Sequence, residues 1–241
     1  MRVVLALLSL QLAQLALAKK QLNVLLIVSD DLRTELGCYG GDAITPNLDA
    51  LANRSGTTLF ERSYVQQAIC CPTRSSFLTG RRPDTTRVWD LHTQWRDAPG
   101  AAHWKSFPQV FREAGYVSTG MGKVFHPVSY KGQSNDLAGG SWSAYPQPVG
   151  PNEDSLHPLR KTNCGFKDAN NTDADYFDGK TALMAAAVLR NQTAHSAPFF
   201  LAVGFHRPHL PWVVPAKYFD LRGSCCCWWW WWWWCCCCCC C

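Results

Sequence analysis

The apolar residues of the chain fall into short runs that predict buried strands. The stretch Asn23–Val28 is almost continuously apolar and rich in β-branched residues, which is typical of a parallel strand buried on both faces. Phe199–Phe205 has the same character, and Tyr116–Met121 forms a shorter run of this kind. Thr57–Val65 is predicted as a further strand.

Helical patterns separate these strands. Thr45 suits an N-cap and Pro46 the first helical position, so a helix is predicted over Pro46–Arg54. Phe107–Ala114 also looks helical, and Gly115 stands where a C-cap is expected. Strands that alternate with helices imply an α/β fold with a mostly parallel sheet. The remaining predicted elements are helices at Pro72–Thr79, stopped by Gly80, and Thr181–Arg190, and long loops over 128–165.

Both ends of the chain differ from this globular pattern. Arg2, a mostly apolar stretch and the small-x-small site before Lys19 predict a secretory signal peptide at 1–18, with an uncleaved anchor as the alternative. Residues 225–241 contain only Cys and Trp. A homopolymer does not supply the spaced cysteines that a disulfide framework needs. We interpret this tail as an artefact, such as a translated nucleotide repeat; a metal-binding Cys tail is the alternative.

Composition and charge restrict the classes of function. Hydrophobic residues make up 47% and charged residues 17%, as in globular proteins. The formal net charge of +5 is a mild excess, which argues against nucleic-acid binding and is compatible with an acidic polysaccharide substrate. Glycosylation sequons at Asn53, Asn170 and Asn191 agree with the signal peptide in predicting a glycoprotein of the secretory route.

Polar residues follow three of the predicted strands. Chemistry in parallel sheets collects at the carboxyl ends of the strands, so an active site is expected there. Asp30 and Asp31 are adjacent carboxylates that repel each other, which favours a shared Ca²⁺ or Mg²⁺; an N-cap beside a solvated charge is the alternative. The other strand-end residues are Lys123 and His126 after the Tyr116 strand, and His206 and His209 after the Phe199 strand.

The segment Cys70–Arg81 carries the most specific motif. It reads Cys-Cys-Pro-Thr-Arg-Ser-Ser-Phe-Leu-Thr-Gly-Arg and resembles the signature of the sulfatases of the alkaline-phosphatase-like superfamily. In that family the formylglycine-generating enzyme oxidises the Cys to formylglycine, whose hydrated aldehyde attacks sulfur with one oxygen and expels sulfate through the other. Only Cys70 has Pro two and Arg four residues later, so the resemblance assigns formylglycine to Cys70 and leaves Cys71 as a variable position. A buried structural Cys is the alternative.

The same resemblance implies roles for the other strand-end residues. Arg74 would anchor the formylglycine and metal region, Lys123 would contact the sulfate, and His126 would hold the formylglycine hydroxyl. His206 would face the ester oxygen as an acid. Asp30, Asp31 and the modified Cys70 would bind one Ca²⁺.

The flanking stretches resemble most closely those sulfatases that remove the 2-O-sulfate from terminal iduronate in dermatan and heparan sulfate, in the lysosome. Residues 19–224 would then be the N-terminal part of the catalytic domain. The family's second acidic pair does not follow His209, so we expect purified 19–224 to be inactive and poorly folded; turnover of an aryl sulfate would contradict this. A non-catalytic secreted glycan-binding remnant and a phosphoester or phosphonate hydrolase of the same superfamily are the alternative functions.

Overall fold

A computed structural model describes residues 21–147, 166–168, 171–192, 197–210 and 212–221. The strands are β1 (Val24–Asp30), β2 (Val117–Gly122), β3 (Phe166–Asp168), β4 (Phe199–Pro208) and β5 (Val213–Pro215). The helices are α1 (Pro46–Ala52), α2 (Cys70–Thr79), α3 (Pro83–Thr86), α4 (Phe107–Glu113), α5 (Phe177–Gln192) and α6 (Ala216–Asp220). The predicted signal peptide, the Cys/Trp tail and residues 148–165 of the long loop lie outside the described residues.

The main sheet has the parallel order β1-β4-β2. Val24 pairs with Phe200 of β4, and Val117 pairs with Phe199, so the three strands run in step from the same end. Their carboxyl ends therefore meet at one edge of the sheet, as the alternating pattern predicted. The short strands β3 and β5 form a separate parallel pair.

The core lies on both faces of the central strand β4. Phe200 and Ala202 pack on one face with Leu78 of α2 and with Trp95. On the other face, Leu201 and its neighbours pack against one side of α5. Because both faces of β4 are covered by apolar side chains, its sequence is apolar at consecutive positions rather than at alternate ones.

The sequence predictions and the structure agree on most elements and differ at their ends. The helix expected from Pro72 starts two residues earlier, at Cys70, and the one expected from Thr181 starts at Phe177. The strand predicted over Thr57–Val65 is wrong: this segment has no regular structure and its side chains are exposed. Apolar content alone does not make a strand without a neighbouring strand to bond, and the described residues supply none there. No helix in the described ranges is long and apolar enough to cross a bilayer.

Candidate active site

Two glycines bring the ends of β2 and β4 unusually close together. Gly122 has φ of +69°, and the Lys123 amide that follows it donates to the carbonyl oxygen of Gly204 at 2.9 Å. A Cβ at Gly122 would collide with that carbonyl, and a Cβ at Gly204 would collide with the Lys123 carbonyl. Only glycine tolerates both the positive φ and the close approach. This close approach occurs where the chain leaves β2, just before Lys123 and His126.

A buried ion cluster links three elements at this edge. Asp30, at the end of β1 and 3% exposed, accepts from Arg74 of α2 at 2.9 Å and from Lys123. Arg74 also donates to the carbonyls of Lys123 and Val124, the latter at 2.8 Å. Burial alone would raise the pKa of Asp30, but the two cations outweigh burial and hold that pKa below its ordinary value. The cluster therefore fixes a carboxylate and two cations in one geometry at neutral pH.

Cys70 begins helix α2 beside this cluster. Its Sγ lies 3.3 Å from Nδ1 of His126, which follows β2. Burial lowers the pKa of His126 to about 4, and the nearby charges of Lys123 and Arg74 add to the effect. The imidazole is therefore neutral at physiological pH and able to accept a proton from a group at position 70.

Cys71 faces a different environment from Cys70. It is 2% exposed, belongs to the apolar core, and has its Sγ 3.6 Å from the carbonyl oxygen of Thr93. Burial raises the pKa of the Cys71 thiol to about 11. Consecutive residues of a helix point in different directions, so the two thiols are kept apart and both are free in the structure. Cys71 is a core side chain, and Cys70 is the thiol of the site.

We expect the two adjacent thiols to differ in reactivity. In full chain from cells lacking the formylglycine-generating enzyme, iodoacetamide at pH 8 should label Cys71 at least roughly tenfold more slowly than Cys70. Fragmentation of the tryptic peptide 63–74 assigns the label, and the partly exposed Cys38 serves as the control thiol. Equal labelling of both positions, or a disulfide between them, would contradict this assignment.

Asp178 is a site residue that the sequence analysis missed. It lies in the first turn of α5, and its two carboxylate oxygens accept the backbone N–H groups of His206 and Arg207, each at 2.8 Å. One of these oxygens is 3.7 Å from Nδ1 of His206, whose ring packs edge-on against Phe177. Burial would raise the pKa of Asp178, but the His206 ring and the two N–H groups lower it overall. Asp178 thus holds the backbone near the end of β4, and its carboxylate lies near the His206 ring without a hydrogen bond to it.

Removing this carboxylate should destabilise the fold. Asp178→Ala leaves two partly buried N–H groups without their charged acceptor, so we expect a loss of about 2 kcal/mol in the free energy of unfolding. Urea denaturation of the chimera described below measures it. Asp173→Ala is the matched control, because Asp173 is only partly buried and pairs with Lys217 at the surface, and it should cost clearly less. Similar losses for the two variants would show that Asp178 does not hold the strand end.

The predicted cation ligands converge only in part. Asp31 has φ of 57° and a side chain 56% exposed, and its carboxylate lies 3.9 Å from Nε2 of His209. Asp30 is occupied by two cations. Among the described residues, no three His, Cys, Asp or Glu side chains gather into a group that could hold a metal ion. Asp30, Asp31 and Cys70 therefore do not by themselves make up a site for a hard cation, which requires six or more oxygens.

Direct contacts thus join Cys70 to His126, and separately join Asp30 to Arg74 and Lys123. These are five of the residues singled out in the sequence. His206 lies near the end of β4, the central strand of the sheet, and its backbone N–H donates to Asp178. A cysteine at a helix start beside a neutral histidine, with buried cations at the edge of a parallel sheet, is an arrangement typical of α/β hydrolases that act on charged esters.

Comparison with known proteins identifies the family of the chain. The family model for sulfatases matches residues 22–222, and the chain belongs to the sulfatase family. Iduronate 2-sulfatase of Mus musculus is 39% identical over 213 residues, which are 83% of this chain and 37% of that protein. The chain therefore spans little more than a third of the length of this relative.

Solved structures confirm the alkaline-phosphatase-like fold. A protein of the alkaline phosphatase superfamily from Vibrio parahaemolyticus aligns with a TM-score of 0.56 at 17% identity, over 82% of this chain and 43% of its own. A phosphonate monoester hydrolase of Agrobacterium radiobacter aligns with a TM-score of 0.57 at 23% identity, over 81% and 42%.

Proposed function

We propose that the protein is a sulfuric ester hydrolase whose nucleophile is formed from Cys70 and whose substrate carries the 2-O-sulfate of iduronate, as in dermatan and heparan sulfate. The observation that carries the proposal is the contact between Cys70 Sγ and His126 Nδ1 at 3.3 Å, beside the buried Asp30 cluster. The substrate follows from the similarity to iduronate 2-sulfatase. Cationic groups at this edge of the sheet suit an ester whose oxygens gain negative charge during transfer.

Each residue of the candidate site has a proposed role in the reaction. His126 is neutral at physiological pH, so it accepts the proton from an oxygen at position 70. Lys123 and Arg74, held by Asp30, place positive charge next to that position, and Lys123 is the candidate sulfate contact. His206 donates a proton to the leaving alcohol, and Asp178 holds its backbone at the end of the strand.

Formylglycine and a divalent cation complete the proposed site. Formylglycine at position 70 supplies a hydrated aldehyde, which offers an attacking oxygen and a route for release of sulfate. A divalent cation, which we propose to be Ca²⁺, is assigned to Asp30, Asp31 and the modified Cys70, with further oxygens from beyond the described residues. Its removal should leave the ion cluster of Asp30 intact, because Arg74 and Lys123 already neutralise that carboxylate.

The route through the cell is part of the proposal. Formylglycine requires the formylglycine-generating enzyme of the endoplasmic reticulum, which matches the predicted signal peptide. Asn53 and Asn191, two of the three sequon residues, are exposed and accessible for glycosylation. The lysosome is the proposed destination, as the resemblance implies, with secretion as the alternative.

Turnover is tested in a chimera in which residues 22–222 replace the matching part of mouse iduronate 2-sulfatase, so that a complete ligand set is present. The chimera should release sulfate from a disaccharide with terminal 2-sulfated iduronate, and the same chimera with Cys70→Ala should not. Secretion of both proteins at equal levels controls for folding. A secreted chimera that carries the aldehyde but leaves this disaccharide intact would contradict the proposed substrate.

The second candidate, a phosphonate or phosphate ester hydrolase, has support from the aligned phosphonate monoester hydrolase. Assays of the same chimera on matched aryl sulfate, phosphate and phenylphosphonate esters separate the two. Higher kcat/KM for sulfate supports the proposal, whereas a preference for phosphonate favours the second candidate.

A further inference from the structure

Positive charge is concentrated in one part of the chain. Residues 81–131 contain eight Lys and Arg against four Asp and Glu, whereas residues 21–80 contain four against six. Most of the excess of Lys and Arg over Asp and Glu therefore lies in the segment that runs from the end of α2 to just after His126. Such a concentration attracts anions over a distance of about 10 Å at physiological salt.

A polar hollow of about 440 Å³ opens within this segment. We call it the Tyr130 hollow, and no acidic side chain lines it among the residues that the structure describes. Tyr130 follows His126 by four residues, and Gln94 donates to the carbonyl oxygen of Val128, between them, at 3.2 Å. The residues that define it are Arg96, His103, Trp104, Lys105, Tyr130 and Lys131.

The wall of the hollow is rigid. The Arg96 guanidinium binds both carboxylate oxygens of the buried Asp136 and lies 4.1 Å from the centre of the Trp95 ring. It also donates to Gln109 at 3.2 Å. A side chain held by so many partners loses little conformational entropy when a ligand binds beside it.

The rim carries cations placed against aromatic rings. Lys131 Nζ lies 5.3 Å from the centre of the Tyr130 ring, and Lys131 makes no carboxylate ion pair within the described part of the chain. Trp104, which also lines the hollow, has Arg81 from outside it 4.7 Å from its ring centre. A cation beside a partly exposed aromatic ring is a combination that suits an anionic sugar, because the ring contacts the sugar while the cation pairs with sulfate or carboxylate.

We propose that the Tyr130 hollow is an accessory subsite for a sulfated, uronic-acid-containing oligosaccharide, with Lys131 as its principal charged contact. The inference rests on the proposed function for the choice of ligand, since it assigns the hollow to saccharide units beyond the one that is hydrolysed. Its charge and aromatic content are independent of Cys70.

Binding of a heparin tetrasaccharide to the full chain tests this subsite, with Cys70→Ala in every variant so that no hydrolysis interferes. Calorimetry at physiological salt should show that Lys131→Glu weakens binding about tenfold, equivalent to about 1.4 kcal/mol. Lys131→Arg should retain most of the affinity. The matched control is Arg54→Glu, the same reversal of charge on an exposed side chain outside the hollow, which should change the affinity less than about twofold.

The outcomes separate specific from diffuse binding. Equal weakening by Lys131→Glu and Arg54→Glu would overturn the subsite in favour of a general charge effect. Equal affinity for the desulfated tetrasaccharide, tighter binding of a DNA oligonucleotide of the same charge, or no binding by a chain with a cooperative urea transition would also overturn it. A thiol at position 70 would contradict the proposed nucleophile while leaving this binding result unchanged.

Discussion

Asp30→Asn is expected to lower the free energy of unfolding of the chimera of residues 22–222 by about 3–5 kcal/mol, because it leaves Arg74 and Lys123 buried without their carboxylate. The amide keeps the shape and one acceptor oxygen, so the loss reports mainly on charge. Urea denaturation without added metal measures it. A loss of this size is a large fraction of the stability of an ordinary domain.

The loss of unfolding free energy caused by Asp30→Asn should decrease as the pH falls. Asp30 has a pKa below its ordinary value in the folded state, so its contribution is present above the unfolded pKa of about 3.9 and is lost as pH falls through the folded pKa. The difference between Asp30→Asn and the unsubstituted chain should therefore be full at pH 7 and shrink below about pH 4.

Asp31→Asn is the matched control for this experiment. It makes the same chemical change at the adjacent residue, and asparagine tolerates the positive φ of that position. The Asp31 side chain is more than half exposed, and its contact with the His209 ring is long, at 3.9 Å, so the loss should be much smaller. Equal losses for the two substitutions would contradict the buried cluster.

Cys70 substitutions should separate attack on the ester from release of sulfate. In the active chimera, Cys70→Ala removes the attacking atom and should lower kcat/KM by about 10⁴-fold or more. Cys70→Ser keeps an attacking hydroxyl but lacks the second oxygen that expels sulfate, so it should stop after at most one sulfate is transferred to each chain.

Single-turnover measurement with ³⁵S-labelled substrate detects the sulfated serine directly. Cys71→Ser, which alters a core thiol next to the site, is the control and should keep multiple turnover. Sustained turnover by Cys70→Ser would contradict a mechanism that depends on formylglycine.

The sequence predicted the parallel sheet and most of its helices because their signals are local. The apolar run before Asp30 and the glycine after Thr79 identify their elements without knowledge of the rest of the chain. The wrong strand at Thr57–Val65 has the composition of a strand but lacks a partner, and strand pairing is a long-range property.

The candidate site was predictable to the extent that motifs encode it. The spacing after Cys70 identified the thiol and Arg74, and strand ends identified Lys123 and His126. The sequence gives no signal for Asp178, because only the packing of α5 against β4 brings it to the backbone of His206. The buried state of Cys71 was equally hidden, since the helix phase that turns it into the core depends on where α2 begins.

Mass spectrometry of position 70 tests directly whether Cys70 becomes the formylglycine nucleophile. The full chain is secreted from animal cells that contain the formylglycine-generating enzyme, and peptide 63–74 is fragmented. We expect an aldehyde at position 70, with oxygen in place of sulfur and two hydrogens fewer, and an intact thiol at position 71. A thiol at position 70, from cells that convert a co-expressed reference sulfatase, would contradict it.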